Sequence, residues 1–283
     1  MPAIPRKDSR RARILEALRY TPHLRIRSLA ERFGVTTETI RRDLDALSRM
    51  GLVDRAHGGA VANPMGAQPP VAEREQWTIP ERRLIAAAAA KLVLPGQVLM
   101  IDAGSTTAQL AWQLGAQGEG LTVITNSYPV AAAIAPSEAR TIVCPGEFNA
   151  REAGVFGQDT TEFLERFHAN TAFIGASGVS VGGITDVNRG AVWVKRTMIA
   201  RCERAYLLVD HTKFSTHVLE VVAPLDVLDG IVTDQAPPEP MARLLKKAGV
   251  DVFIAPFAVD ARDARPTATR ARPAEQLAPT MAR

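Results

Sequence analysis

Only two cysteines occur in the 283 residues, Cys144 and Cys202. They stand far apart with no metal-type spacing, which excludes a disulfide framework as the organising device and fits a reducing compartment. No apolar run approaches the ~20 residues of a membrane span. The longest candidate, 86–94, is interrupted by Lys91. The opening residues, MPAIPRKDSRRARIL, lack the apolar centre of a signal peptide. A cytoplasmic protein that makes no membrane contact is expected. The five histidines do not cluster, and His211 and His217 lack metal-helix spacing. GxSxG, a Walker-type loop and GxGxxG are all missing. We therefore expect no metal and no cofactor. Cys144 ends an apolar run with no neighbour in sequence to lower its pKa, so buried filler is the better reading than a reactive thiol.

What is present is ordinary globular material. Apolar residues make up 46% and charged residues 23%, enough for a large core and about two domains. The net charge of +4 is unevenly placed. Residues 1–62 carry 13 Lys/Arg against 7 Asp/Glu, residues 257–283 carry 5 against 3, and 63–256 carry 16 against 20. The basic excess at the N-terminal end suits contact with a polyanion, although a solvated basic surface has the same composition.

That basic part carries the most informative stretch, TTETIRRDLDALSRMGLVDRAHGGA (36–60). Ile40, Leu44 and Leu47 recur at i, i+4, i+7 and define one helix face. Thr37, Glu38, Arg41 and Arg42 occupy the other, and Thr36 is a suitable N-cap. Leu52-Val53, Arg55, His57 and a Gly58-Gly59 turn then read as a hairpin with a basic tip. Upstream, helices are expected over 7–18, with Ile14, Leu15 and Leu18 inward, and over 28–33, with Leu29, Ala30 and Phe33 inward. Gly34-Val35 forms the turn. This is a winged helix-turn-helix spanning 6–62. Its outward Thr36, Thr37, Thr39, Arg41 and Arg42, with Arg55 and His57 on the wing, suit base edges and phosphates of double-stranded DNA.

Residues 63–80 hold four prolines and a glycine and read as a linker. From residue 81 to 256 a different rhythm sets in. Strand-length apolar runs (97–104, 121–127, 141–146, 171–178, 205–210, 230–234, 250–256) end in Gly, Ser, Asn or Asp, and helical patterns often follow. This predicts an α/β domain with a mostly parallel sheet covered on both faces. Residues 257–283, rich in Ala, Arg, Pro and Thr, are expected to be a disordered tail.

Ligands of such sheets sit at the carboxyl ends of the strands. There the chain places Asp102-Ala-Gly104-Ser105-Thr106-Thr107, Thr125-Asn126-Ser127, Gly175-Ala-Ser177-Gly178 and Asp210-His-Thr-Lys213. Ser105 could be a simple helix cap, or the segment could offer a phosphate its hydroxyls and the free N–H groups of a helix start. Any single end has such a bland explanation. Four polar ends that should meet on one rim point to a small polar anion, with Lys213 as its charge partner.

Taken together, Thr39-Ile-Arg-Arg-Asp43-Leu, Gly51-Leu-Val-Asp-Arg55-Ala-His57-Gly-Gly-Ala60, Phe173-Ile-Gly-Ala-Ser-Gly178, Val194-Lys-Arg196, Asp210-His-Thr-Lys-Phe214 and the segments at 102–107 and 125–127 resemble the DeoR family of bacterial transcriptional repressors. The resemblance covers roughly 7–256, with the motifs in the family's order. It implies a sensor domain like ribose-5-phosphate isomerase, a phosphorylated sugar or related effector that weakens operator binding, control of a carbohydrate-metabolism operon, and assembly as a dimer or tetramer. It also carries the effector role onto Asp102, Gly104, Ser105, Thr106, Thr107, Thr125, Asn126, Ser127, Gly175, Ser177, Gly178, Asp210 and Lys213. Pro145-Gly146-Glu147 departs from the family's Gly-Gly, and Glu147 beside a phosphate would be unfavourable unless it points away. Sugar selectivity is expected in 183–195, with Asp186 and Asn188 as hydroxyl partners.

Two other readings compete with this one. A sugar-phosphate isomerase or deaminase with an appended DNA-binding domain would need a positioned base. Only Asp102, Asp186 or Asp210 offers one, because the isomerases carry acidic residues where this chain has Ser177-Gly178. The third reading is a constitutive architectural DNA binder with a vestigial sensor.

Overall fold

The structure is a computed structural model. It describes residues 10, 11, 13, 14, 17, 23–49, 53–56, 59–62, 70–74, 79–116 and 120–256. Expectations for Leu15, Leu18, Leu52, His57, the tail 257–283 and most of the linker lie outside these residues. The chain divides into two compact units, 1–69 and 70–283.

In the smaller unit, strand β1 (His23–Arg25) leads into helix α1 (Ile26–Phe33) and helix α2 (Thr37–Arg49). Strands β2 (Val53–Ala56) and β3 (Gly59–Ala62) follow. Helix α1 starts two residues before the expected position and stops at Gly34, whose left-handed conformation (φ 64°) closes the helix and lets the chain reverse into α2. Thr36 Oγ1 accepts the Thr39 amide at 3.2 Å, which is the N-cap bond anticipated for it. The three strands form an antiparallel sheet in the order β1-β3-β2. Gly59, expected in the turn, instead opens β3 and pairs with Ala56. Ile14, Leu29, Phe33, Ile40, Leu44, Leu47 and Val53 fill one small core.

Among the described residues of this unit, a charged pair is buried, Arg10 and Asp43. Asp43, on α2, is buried and binds Arg10 Nε at 2.5 Å and Arg11 Nε at 3.1 Å. This carboxylate ties the N-terminal helical residues to the helix that presents Thr37, Arg41 and Arg42.

The larger unit opens with the short helix α3 (Val71–Arg74) and helix α4 (Ile79–Ala90). Part of the expected linker is thus packed on the larger unit: the Val71 amide donates to the Arg151 carbonyl at 2.6 Å. Strand β4 (Val98–Ile101), helix α5 (Ser105–Gly115), strand β5 (Thr122–Thr125), helix α6 (Tyr128–Ile134) and strand β6 (Arg140–Val143) come next. A hairpin of β7 (Glu147–Asn149) and β8 (Gly154–Phe156) precedes helix α7 (Gln158–Glu165) and strand β9 (Ala169–Ile174). Then follow β10 (Gly178–Ser180), β11 (Gly183–Asp186), helix α8 (Arg189–Ala200), β12 (Cys202–Leu208), β13 (Glu220–Ala223), β14 (Gly230–Thr233), helix α9 (Glu239–Ala248) and β15 (Asp251–Ile254).

All seven expected strands join one parallel sheet, in the order β15-β14-β12-β9-β4-β5-β6. Its strands are continuously apolar because both faces are covered. In β4, Leu99 and Ile101 enter the core on the α4–α5–α6 side, and Met100 enters the core on the α7–α8–α9 side. A second antiparallel sheet, β10-β11-β13, was not anticipated; its strands are only 3 to 4 residues long.

The chain runs outward from β4 through β5 to β6, then returns to the other side of β4 as β9. The strand order therefore reverses between β4 and β9, and the crevice of a doubly wound sheet opens at the carboxyl ends of those two strands.

Replacing Asp43 by Ala should destabilise the smaller unit by about 3 kcal/mol, because Arg10 and Arg11 lose the buried carboxylate that both of them bind. Calorimetry of the full chain should show one transition lowered and that of the larger unit unchanged.

Candidate functional site

The reversal point holds a buried charge cluster. Asp102, just past β4, accepts the Gly175 amide at 3.1 Å on Oδ1 and 3.2 Å on Oδ2. Lys195, on the inner face of α8, reaches Asp102 Oδ2 at 2.8 Å and Asp186 Oδ2 at 3.2 Å. Asp186 Oδ1 also accepts Ser177 Oγ and the Asn188 amide, each at 3.1 Å. Relative exposures of 1% for Asp102, 6% for Asp186 and 3% for Lys195 seal the cluster from water.

Burial pushes the Asp102 carboxyl up, and Lys195 and the Gly175 amide only partly offset it. Burial acts on Asp186 in the same direction, but Lys195, the Asn188 amide and Ser177 outweigh it and hold that carboxyl below its usual range. Lys195 loses hydration as well, yet the two carboxylates raise it above its ordinary value. Lys195 was quoted in the sequence as part of a motif, but nothing there gave it a role.

Directly above Asp102, helix α5 begins. Its N-cap is Gly104, and no side chain caps it. The simple capping role open to Ser105 is therefore not the one it plays. Ser105 and Thr106 have no side-chain partner among the described residues. The first amides of the helix have no partner within it and carry the positive end of the helix dipole at the carboxyl end of β4. Thr107 differs: its hydroxyl donates to the carbonyls of Asp102 and Gly104, both at 2.9 Å, and braces the turn from inside.

Several other expected site residues brace the frame in the same way. Thr125 Oγ1 donates to the Ile101 carbonyl at 2.6 Å and accepts the Ser127 amide at 3.0 Å. Asn126 accepts the Ala103 amide through Oδ1 and donates to the Val155 carbonyl through Nδ2, each at 3.0 Å. Ser127 caps α6 through the Val130 amide. Asn188 caps α8 through the Ala191 amide. Asp210 accepts the Thr212 amide and hydroxyl. Gly178 is a packing residue: a Cβ there would lie 2.4 Å from the Thr216 carbonyl oxygen. Glu147 is exposed on β7, where its backbone pairs with Phe156.

Lys213 stands half-buried at the end of the β12 segment. Burial lowers its pKa and the neighbouring charges of Arg74 and Arg82 lower it further, while Asp210 and Asp186 oppose them. Arg82 is buried in the first turn of α4, and its Nη1 donates to the Arg74 carbonyl. Arg74 pairs with Glu152. Helix α3 packs against α5, and α4 packs against α5, β12 and β14. A helix that leads into a parallel strand starts at the sheet's carboxyl edge, which puts Arg82 at that edge, and the charges of Arg74 and Arg82 both act on Lys213 although they precede every strand of the sheet. Sequence reading placed both in or beside a linker. The available signal was Arg82-Arg83 directly after Glu81, at the head of the Ala-rich run.

Next to Lys213, His211 Nδ1 and Asp234 Oδ2 are 2.6 Å apart, and Asp234 Oδ1 accepts the His211 amide at 2.7 Å. The hydrogen bond to Asp234 raises His211 above its ordinary value. Burial would raise Asp234, but the bonds from His211 outweigh it and hold the carboxyl below its usual range. Cys144 is buried, which pushes its thiol up to about 12 and leaves it inert as a nucleophile.

On the smaller unit, Thr36, Thr37, Arg41 and Arg42 are exposed and Thr39 is half-buried along one face of α2. Glu38 pairs with Arg41 at 3.7 Å and with Arg42 at 3.4 Å; such exposed pairs are weak and yield easily to a phosphate. Arg55 lies on β2, where its backbone pairs with Ala60.

The His211–Asp234 pair sets a pH dependence. A raised His contributes stability below its ordinary pKa that is lost as pH rises through the raised value. A lowered Asp contributes above its ordinary pKa and loses this in acid. The difference in unfolding midpoint between wild type and Asp234→Asn should therefore be largest between about pH 4.5 and 6.5 and shrink above neutrality. A midpoint series across that range checks this.

The model of the DeoR C-terminal sensor domain matches residues 77–235, and that of the DeoR-like helix-turn-helix domain matches 10–65. The glycerol-3-phosphate regulon repressor of Escherichia coli is 30% identical over 82% of this chain and 92% of its own length. The L-fucose operon activator of Haemophilus influenzae is 33% identical over 75% of this chain and 85% of its own. Ribose 5-phosphate isomerase A of Methanocaldococcus jannaschii overlays on 47% of this chain and 53% of its own with a TM-score of 0.36 and 19% identity. With both domain models matched in order and relatives of this extent, the chain belongs to the DeoR family of helix-turn-helix transcriptional regulators.

Proposed function

We propose that this regulator represses a carbohydrate-metabolism operon and leaves its operator when a phosphorylated sugar or related metabolite fills the crevice between β4 and β9. The observation that carries the proposal is the rim itself. The open N-terminus of α5, with Ser105 and Thr106, stands in one domain with the cations Lys213, Arg74 and Arg82. A phosphoryl group offered to that rim meets amide donors, hydroxyls and positive charge together. Gly104 and Gly175 let it approach the backbone, and Ser177, held from behind by Asp186, borders the sugar end. Thr107, Thr125, Asn126, Ser127, Gly178 and Asp210 shape the crevice, and Asp102 anchors its floor.

On the DNA side, α2 lies in the major groove with Thr37, Thr39, Arg41 and Arg42 toward bases and phosphates. Thr36 holds the start of the helix, and Arg55 and His57 act from the wing. A dimer or tetramer in the cytoplasm, placing two such units on one operator, gives the effector two states to discriminate.

Catalysis is not part of this reading. Asp102 and Asp186 are sealed and paired with Lys195, and Asp210 is engaged in its own turn. A proton shuttle needs a base that can reach the substrate.

Fluorescence anisotropy at about 150 mM salt, on DNA from upstream of the gene and its neighbours, tests the proposal, since nonspecific binding falls steeply with salt. Tight binding reversed by one phosphorylated compound, and not by its unphosphorylated form, is expected. Arg41→Ala should weaken operator binding. If Arg41 contacts phosphate, all sequences weaken and the salt slope falls by about one unit; if it reads a base, about 1–3 kcal/mol is lost at one position. Lys213→Met and Arg82→Met should leave operator affinity unchanged and weaken the response to the phosphorylated compound at least tenfold. Unchanged response in both variants would remove the cationic rim from the account.

A further inference from the structure

Lys195 is unusual for its place. Helix α8 buries Ala191, Val192, Val194, Met198 and Ile199 along one face, and Lys195 sits among them with only 3% exposure. A methionine of similar length would fill that space without the cost of dehydrating an ammonium group. Buried ion clusters are often no more stable than apolar replacements of equal volume. The presence of a lysine here therefore calls for a reason other than stability.

Its contacts supply one. Lys195 bridges Asp102 and Asp186, and through these two carboxylates it links three turns at the carboxyl side of the sheet. Asp102 lies two residues before Gly104, and its carbonyl accepts the Thr107 hydroxyl that braces the first turn of α5. Through Asp102 the cluster holds the Gly175 amide on the far side of the strand-order reversal. Through Asp186 it holds Ser177 Oγ and the Asn188 amide, and Asn188 in turn caps α8. Without the ammonium group, two carboxylates would share one sealed space with no cation between them. They would move apart, or one would take a proton.

We infer that Lys195 is a positioning residue of the effector site: it sets the spacing of the 102–107 turn, the 175–177 turn and the β11 end, and the bound effector does not touch it. This rests on the effector reading above, and the tests below separate the failure of one from the failure of the other.

The first test needs no ligand. Hydrogen exchange of the full chain is compared between wild type and Lys195→Met. The Gly175 and Asn188 amides should exchange at least tenfold faster in the variant, with the amides of β9 unchanged. Unchanged exchange at both positions overturns the inference. If Lys195→Met does not fold, Asp186→Asn takes its place. It keeps the Lys195–Asp102 pair and loosens one arm, so faster exchange is expected at Asn188 alone; no change there overturns the inference equally.

The second test uses sn-glycerol 3-phosphate and inorganic phosphate as probes, with operator DNA as control. Lys195→Met should lose at least tenfold in probe affinity while keeping operator affinity within twofold. The variant-to-wild-type ratio of probe affinity should recover as pH falls from about 8 to 5.5, when a proton replaces the missing cation between Asp102 and Asp186. Asp210, Lys213, Arg74, Arg82 and the His211–Asp234 pair, the charged and titratable groups described around this cluster, are the same in both proteins, and the probe's own titration cancels in the ratio. A purely stabilising lysine predicts no such recovery, so a flat ratio contradicts the positioning role. If wild type binds neither probe and no other phosphorylated compound, the effector reading fails, and the exchange result still decides the role of Lys195.

Discussion

The carboxylate of Asp102 sits where the strand order of the sheet reverses, and the rest of the sensing unit is arranged around it. It holds the Gly175 amide across the gap between β4 and β9 and shares Lys195 with Asp186. A parallel sheet leaves its strand ends without partners at such a point, so the crevice follows from topology alone. Its particular form comes from the buried cluster, which fixes three turns relative to one another in a medium where charges cannot be left unpaired.

Around that fixed centre the polar residues divide by what they touch. Thr107, Thr125, Asn126 and Ser127 satisfy backbone groups at the ends of β4 and β5 and build the walls. In the proposed site, Ser105, Thr106, Lys213 and the two arginines that precede the sheet are the groups assigned to the anion. The same composition of Ser, Thr and Asn therefore does two jobs, and only the hydrogen-bond partners distinguish them. Arg74 acts on Lys213 from outside the sheet. It lies on α3, near the start of the larger unit, and α3 is anchored there to the 151–152 turn.

The sheet was legible because a strand buried on both faces reads as an unbroken apolar run, and all seven runs became strands. The recognition helix was legible because Ile40, Leu44 and Leu47 keep helical period against a polar face, and Thr36 took its capping position. The small β10-β11-β13 sheet was not, since strands of 3 to 4 residues carry too few alternations to register. The polar strand ends were found, but the sequence could not separate walls from opening, because for Asp102, Thr125 and Asn126 that depends on partners 23 to 73 residues away. Lys195, Arg74 and Arg82 escaped for the same reason: each acts across a long stretch of chain, and locally each looks like one more surface cation.

The account stands or falls on where a phosphoryl group settles. The most direct measurement is a crystal structure of the full chain with the compound that displaces it from operator DNA. The account predicts the phosphoryl group at the N-terminus of α5, within hydrogen-bonding distance of the Ser105 and Thr106 amides and facing Lys213, with Lys195 still between Asp102 and Asp186. A phosphoryl group bound away from that helix start, or one that draws Lys195 out of the cluster to contact it, would contradict it.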